Sequence, residues 1–261
     1  MVPKGVTVPV VWSRELPSEP TSVRVYRDSL GQWYASFVVR REIVVPAPGQ
    51  GGVGIDWGVS TTATATDPLF DLPYLGHRSR CAAELAKAQR RMARRHRKGC
   101  APYRGYTDAK RQAARLAKKA ARQTVHDSRM WAKRVVDHHD LIAIEDFQPR
   151  FLTKSTMARK AADAAIGAAE GELIERARRA GRTVVMVRPA YTSMTCSACF
   201  ARTKRLELHE RNFRRPDCGY AEGRDRNAAR VVLAVAERGH VSVEDVRQSD
   251  HLLRVDGPVA V

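Results

Sequence analysis

The sequence predicts an α/β fold, and three observations carry the prediction. Short apolar runs at 141–147 and 183–188 flank a helix-periodic stretch over 155–180, the strand-helix-strand order that makes neighbouring strands parallel. Upstream, Val53 and Ile55 alternate with Gly54 and Asp56 at the two-residue period of a strand, and a β-branched run, Thr61 to Thr66, follows. Between these β regions lies a long, basic segment of helical pattern. With 261 residues and 43% hydrophobic content, the chain can bury a sizeable core.

In chain order, residues 1–46 read as β structure. Ser22 to Tyr26 and Gln32 to Val39 alternate apolar and polar residues around the turn signal Asp28-Ser29-Leu30-Gly31. Pro46 to Gly52 is a linker or wide turn. In Val53-Gly54-Ile55-Asp56-Trp57-Gly58 the carboxylate of Asp56 sits on a rigid strand, and flanking glycines let a phosphate or a metal ion approach the main chain. Two helices are predicted over 79–98 and 107–138, with Gly99-Cys100-Ala101-Pro102 and Gly105 as the break between them. Ala113, Leu116, Ala120, Trp131 and Val135 supply their thin apolar stripe. The apolar strand from Leu141 ends in Glu145 and Asp146. The next helix carries Ala162, Ile166, Ala169, Leu173 and Ala177 on one face, with Gly181 at its C-cap. A last helix runs from Arg224 through Ala236, and residues 239–261 are expected to be a weakly ordered tail.

The net charge of +18 calls for a polyanionic partner, because Lys and Arg neutralise phosphates and release counterions. The charge is local. Residues 78–134 hold 19 Lys and Arg against Glu84, Asp108 and Asp127, a net of +16. A merely solvated helix face mixes both signs, so nucleic-acid contact is predicted for Arg90, Arg91, Arg94, Arg95, Lys118 and Lys119. No apolar run is long enough for a membrane span, and Met1 to Pro20 lacks a signal-peptide pattern, so no membrane partner is expected. Five cysteines, an odd number with one CxxC pair, suit a reducing cytoplasm and metal binding better than a disulfide framework.

Two groups of residues point to chemistry. Cys196-Ser197-Ala198-Cys199, followed at a distance by Cys218, has the rhythm of a zinc ribbon whose knuckles present thiolates from tight turns. A second CxxC would need Cys at 215, where the chain has Arg215. Weak zinc binding, a substitute ligand and no zinc all remain open; His209 is the nearest substitute, at the wrong spacing for the same knuckle. Cys81 and Cys100 are read as ordinary thiols. The second group is Asp56, Glu145 and Asp225, the hard anionic oxygens that a pair of Mg²⁺ ions about 4 Å apart needs for phosphodiester cleavage.

The segments VGIDWGVSTTATATD, LIAIEDF, YTSMTCSAC, RNFRRPDCGY and GRDRNAA, in this order, resemble the transposon-associated TnpB (OrfB) family, related to the compact type V CRISPR effectors. The resemblance runs from about Thr21 to Ala236. It implies an RNase H-like (RuvC) mixed sheet and a Mg²⁺-dependent DNA endonuclease directed by a guide RNA. It puts Asp56, Glu145 and Asp225 on the catalytic acids, and Cys196, Cys199 and Cys218 on three of four zinc cysteines. The implied organisation is a partial N-terminal β-barrel over 1–46 and a nuclease over 47–188 interrupted by a basic helical hairpin at 78–138. A zinc-ribbon-like insertion follows at 189–222, then a closing helix at 223–238 and the tail at 239–261. By the same resemblance the chain is an N-terminally shortened member.

Two other readings compete. A nucleic-acid-binding remnant would keep fold and charge without cutting, although intact acids argue against it. An ATP-binding protein of the actin and sugar-kinase kind shares Gly-Ile-Asp-x-Gly, but it requires a second Asp-x-Gly strand and a glycine-rich adenine pocket, and the sequence has neither.

Overall fold

The structure is a computed structural model describing residues 9–13, 15–40, 47–49, 51–147, 158–203, 206 and 210–255. The chain divides into two compact units, one drawn from Met1–Ile43 and Ala82–Lys118, the other from Val44–Cys81 and Lys119–Val261.

In the first unit, Pro20–Arg27 (β1) and Trp33–Val39 (β2) form an antiparallel hairpin. Its turn works as the sequence suggests: Asp28 Oδ1 accepts from the backbone N–H of Leu30 at 2.8 Å and of Gln32 at 2.9 Å, and Gly31 takes the left-handed conformation. The same unit holds Ala82–Arg95 (α2) and the N-terminal part of Arg104–His138 (α3), with the short helix His77–Arg80 (α1) of the second unit preceding them. The break between α2 and α3 falls at the Gly99 to Pro102 signal.

The second unit is built on a five-stranded mixed sheet. Its strands are Gly52–Trp57 (β3), Thr61–Ala65 (β4), Leu72–Pro73 (β5), Leu141–Glu145 (β6) and Thr183–Val187 (β7), in the order β5-β4-β3-β6-β7. The pair β6/β7 is parallel, as the strand-helix-strand pattern predicts; β3/β6 is parallel too, while β4 returns antiparallel on β3. Strand alternation sorts the side chains into two layers. Val53, Ile55, Ile142 and Ile144 join Trp131, Val135 and Leu173 in one core, under α3 and the helix Ile166–Arg179 (α5). Ala143 and Val187 join Val231, Val232, Val235, Val243 and Val246 in the other, under Arg224–Glu237 (α6) and Val243–Val255 (α7). Trp131 anchors α3 by donating its indole N–H to the Phe70 carbonyl at 2.7 Å.

Two elements differ from expectation. The stretch read as one helix over 155–180 is split: Ala158–Ala164 (α4) and α5 are separated by Ala165 in the left-handed conformation, and residues 155–157 lie outside the described ones. The expected weakly ordered tail contains α7, because Val243 and Val246 bury against α6 and the Ser242 hydroxyl accepts from the Asp245 N–H at its start. The linker over Pro46 to Gly52 lies partly outside the described residues, as does His209.

Candidate functional site

The glycines around Asp56 explain how the acids come together. An added Cβ on Gly54 would lie 2.0 Å from the Ala229 carbonyl oxygen, and one on Gly52 would meet Leu233 Cδ1 at 2.7 Å. Helix α6 therefore lies directly on the bare backbone of β3. It runs antiparallel to the strand, since contacts moving back along β3 move forward along α6. Sequence reasoning assigned this bareness to an approaching phosphate or metal; at Gly54 the occupant is a helix.

That packing sets the geometry. Gly54 and Asp56 share one face of β3, and Ala143 and Glu145 share one face of β6, by strand alternation. The register pairs Gly54 with Ala143 and Ile55 with Ile144, so Asp56 and Glu145 stand side by side at the carboxyl ends of adjacent parallel strands. Asp225 lies one helical turn before Ala229, about 6 Å along α6, and Asp56 lies two residues past Gly54, about 6.6 Å along β3. The first turn of α6 thereby delivers Asp225 to the same place.

The electrostatics agree. Burial pushes the Asp56 carboxyl well above the usual carboxylate range; the Glu145 and Asp225 charges push it further, and only Arg224 opposes them. Glu145, 8% exposed, is raised to about 7, chiefly by burial and then by Asp225, against the lowering effect of a hydrogen bond from Thr192. Thr192 Oγ1 donates to Glu145 Oε1 at 2.9 Å, and the Trp57 indole N–H donates to the Glu145 carbonyl at 3.1 Å. Crowded, half-desolvated carboxylates of this kind suit hard divalent cations, and their chemistry fits Mg²⁺. Their spacing is looser than that of a preformed single-ion cage: among the described residues, the group whose ligand atoms all fall within 4.8 Å of one another is the cysteine trio.

Several residues that hold the site were not singled out from the sequence. Arg226 makes a two-pronged pair with Asp71, both contacts 2.9 Å, and also reaches the Ala65 carbonyl, tying α6 to the β4 side of the sheet. Asn227, fully buried, donates to the Thr195 carbonyl at 2.7 Å and accepts from the Ser197 N–H at 3.0 Å. The available signal was its place in the apolar stripe 227, 231, 235 of α6, where a polar residue must find buried partners.

Asn227 thereby joins the carboxylate site to the cysteines. Cys196 and Cys199 flank the first knuckle, next to the 3₁₀ turn Thr192–Met194. Cys218 closes a second 3₁₀ turn, Pro216–Cys218, between the strands Asn212–Arg215 (β8) and Tyr220–Gly223 (β9). The Cys196 and Cys218 sulfurs are 3.7 Å apart. Burial pushes the Cys196 thiol up, whereas a backbone hydrogen bond at Ala201, the neighbouring thiols and the Arg215 charge hold Cys199 down.

On the basic helices, Arg90, Arg91, Arg94, Arg95 and Lys119 are exposed. Lys118 differs: it forms a close ion pair with Asp28 and lies over the Tyr34 ring, so its charge also serves the β1–β2 hairpin. Among the described residues, no helix is long and apolar enough to cross a membrane.

Comparison with known proteins bears on the family of the chain. Residues 36–156 match the OrfB model described as a probable transposase, and residues 171–232 match the model of the Cas12f1-like TNB domain. A Streptomyces pristinaespiralis protein described as "Putative RNA-guided DNA endonuclease" is 34% identical over 229 residues, 85% of this chain and 55% of that protein. The Escherichia coli K12 protein InsQ, described in the same words, is 27% identical over 239 residues, again 85% of this chain and 58% of the relative. The chain thus spans a little over half the length of these relatives. Among solved structures, Cas12f1 in complex with sgRNA and target DNA superposes with a TM-score of 0.55 at 16% identity, over 81% of this chain and 44% of that one, a likeness of fold. Two successive family matches along the chain, on the sheet that carries Asp56 and Glu145 and on the segment that carries the cysteines and Asp225, place the protein in the TnpB (OrfB) family.

Proposed function

We propose that this chain is a nuclease of the RNA-guided DNA endonuclease kind, cutting phosphodiester bonds at a RuvC-like, RNase H-fold site formed by Asp56, Glu145 and Asp225. The observation that carries the reading is the convergence of three acids from β3, β6 and α6 on one place, where burial and the neighbouring acidic charges raise the proton affinity of Asp56 and Glu145. Such a cluster is costly in isolation and is relieved by divalent cations. When bound, Mg²⁺ ions would supply charge neutralisation at the scissile phosphate and activation of the attacking water. The protein's own share is positional. Thr192 orients the Glu145 carboxylate, Arg226 holds α6 to the sheet through Asp71, and Gly54 sets the depth at which Asp225 enters.

The exposed Arg and Lys of α2 and α3 would track phosphates of DNA and of a guide RNA in the cytoplasm. The β1–β2 hairpin is read as part of the family's N-terminal barrel, the helices over 78–138 as an insertion in the nuclease, residues 189–222 as a ribbon that touches target nucleic acid, and 223–238 as the closing helix. Purified protein is expected to cleave single-stranded DNA in the presence of Mg²⁺, and Asp56→Ala to bind DNA equally while cutting at background rate. Equal cleavage by the two proteins would refute the nuclease reading. Binding without cleavage in both would identify a non-cutting relative.

A further inference from the structure

A structural zinc ribbon closes its two knuckles with four ligands on one ion. Three corners fit here: the Sγ atoms of Cys196, Cys199 and Cys218 lie within 4.8 Å of one another, and tetrahedral zinc with bonds of about 2.3 Å sets sulfurs about 3.8 Å apart. The fourth corner does not fit. Position 215, three residues before Cys218 at the end of β8, carries a guanidinium, which has five N–H donors and no lone pair to give a metal. The donor set of the described residues is therefore not that of a closed four-ligand site.

What Arg215 does instead is on view. One terminal nitrogen pairs with Asp217 at 2.5 Å, within the second knuckle. The other donates to the carbonyl of Arg202 at 3.4 Å, on the strand-like bridge Thr195–Arg202 that closes the first knuckle. Its Nε is buried without a hydrogen-bond partner among the described residues, and the side chain as a whole is 20% exposed, so it is largely withdrawn from the surface. The Arg202 side chain is itself engaged by Glu244 and by the Tyr191 ring, which fixes the carbonyl that Arg215 reaches. A side chain that bonds both knuckles performs the connecting task of the ion.

We infer that Arg215 is a built-in cross-brace that ties the two knuckles in place of a fourth thiolate, and that this ribbon holds its shape without a bound zinc ion. The inference concerns the ribbon alone and stands or falls separately from the nuclease reading.

The test uses the full chain, metal content by mass spectrometry after dialysis against zinc, and thermal unfolding with and without EDTA. Wild type is expected to retain far less than one zinc per chain and to unfold at the same temperature with the chelator. Arg215→Cys should complete the four-thiolate set, take up about one zinc per chain and become chelator-sensitive. Arg215→Lys, which keeps a charge but cannot fork to two partners, and Asp217→Ala should each lower the metal-free Tm by about 2–4 °C. About one zinc in wild type with a Tm that falls on chelation would overturn the inference, and loss of that zinc in His209→Ala would name the ligand responsible. Unchanged Tm in both Arg215→Lys and Asp217→Ala would overturn the brace.

Discussion

The carboxylate cluster and the cysteine knuckles lie on either side of the segment Thr192 to Thr195, in which Thr192 bonds Glu145 and Thr195 bonds Asn227, and each gathers three like ligand groups. Their electrostatics are opposite. Around Asp56 burial dominates, two further acids add to it, and Arg224 offsets only part of the strain, so the cluster favours protons or divalent ions. Around Cys199 the chain itself favours the thiolate, chiefly through a backbone hydrogen bond at Ala201, then through the neighbouring thiols and the Arg215 charge. The acids thus lack a full internal counter-charge, whereas a guanidinium lies beside the cysteines, bonded to Asp217 and to the Arg202 carbonyl. Three ligands in proximity do not by themselves make a metal centre. What decides is whether the protein has already placed a positive charge there.

Both sites hang from α6, so the strongest way to break the comparison is to move that helix. Gly54→Ala would put a methyl carbon 2.0 Å from the Ala229 carbonyl, a backbone atom that cannot step aside. The expected cost is about 3 kcal/mol or more, read as a fall in the urea midpoint, with the carboxylate and knuckle regions losing hydrogen-exchange protection together. Loss confined to one site would show that α6 is not their common support.

The next test separates them by pH. Glu145 has its folded pKa raised from 4.5 to about 7, so the fold favours the protonated form. That contribution is complete below about pH 4.5 and is lost as pH rises through about 7, where the buried charge costs roughly 3 kcal/mol without a counter-ion. Glu145→Gln, permanently neutral, should therefore be more stable than wild type at pH 8 in EDTA by about 2–3 kcal/mol, equal to it near pH 4.5, and inactive throughout. Denaturation curves at the two pH values check this, and added Mg²⁺ should narrow the gap by stabilising wild type alone. A variant less stable at pH 8 would mean that the carboxylate is already neutralised from within.

How much of this could be read from the chain alone depends on the range of the physics. Strand alternation and the strand-helix-strand order act locally, so the parallel β6/β7 pair and the acids at strand ends were legible. The partner of Gly54 was not, because Ala229 is 175 residues away and a glycine says only that something comes close. The ion pair of Lys118 with Asp28 was not legible either, because nothing local connects positions 118 and 28. Arg215 is the sharpest case: the spacing showed which ligand was missing, while the work of the residue present depended on a carbonyl at 202 that no periodicity reveals. Helix α7 escaped because only Val243 and Val246, one turn apart, anchor its start, too little for a helical stripe to stand out.

The finest adjustment falls on Thr192, 2% exposed, whose hydroxyl donates to Glu145 and can turn to the Pro189 carbonyl at 3.1 Å. Its bond to Glu145 favours the charged carboxylate against burial, so Thr192→Val should raise the Glu145 pKa further above 7. The acid limb of the cleavage profile should then move to higher pH, and the Mg²⁺ concentration for half-maximal cutting should rise several-fold, equivalent to about 0.5–1.5 kcal/mol. Thr192→Ser keeps the hydroxyl and should restore both. A loss of rate with an unmoved pH profile would instead place Thr192 in the packing of the first knuckle, which Asn227 ties to α6 through Thr195 and Ser197.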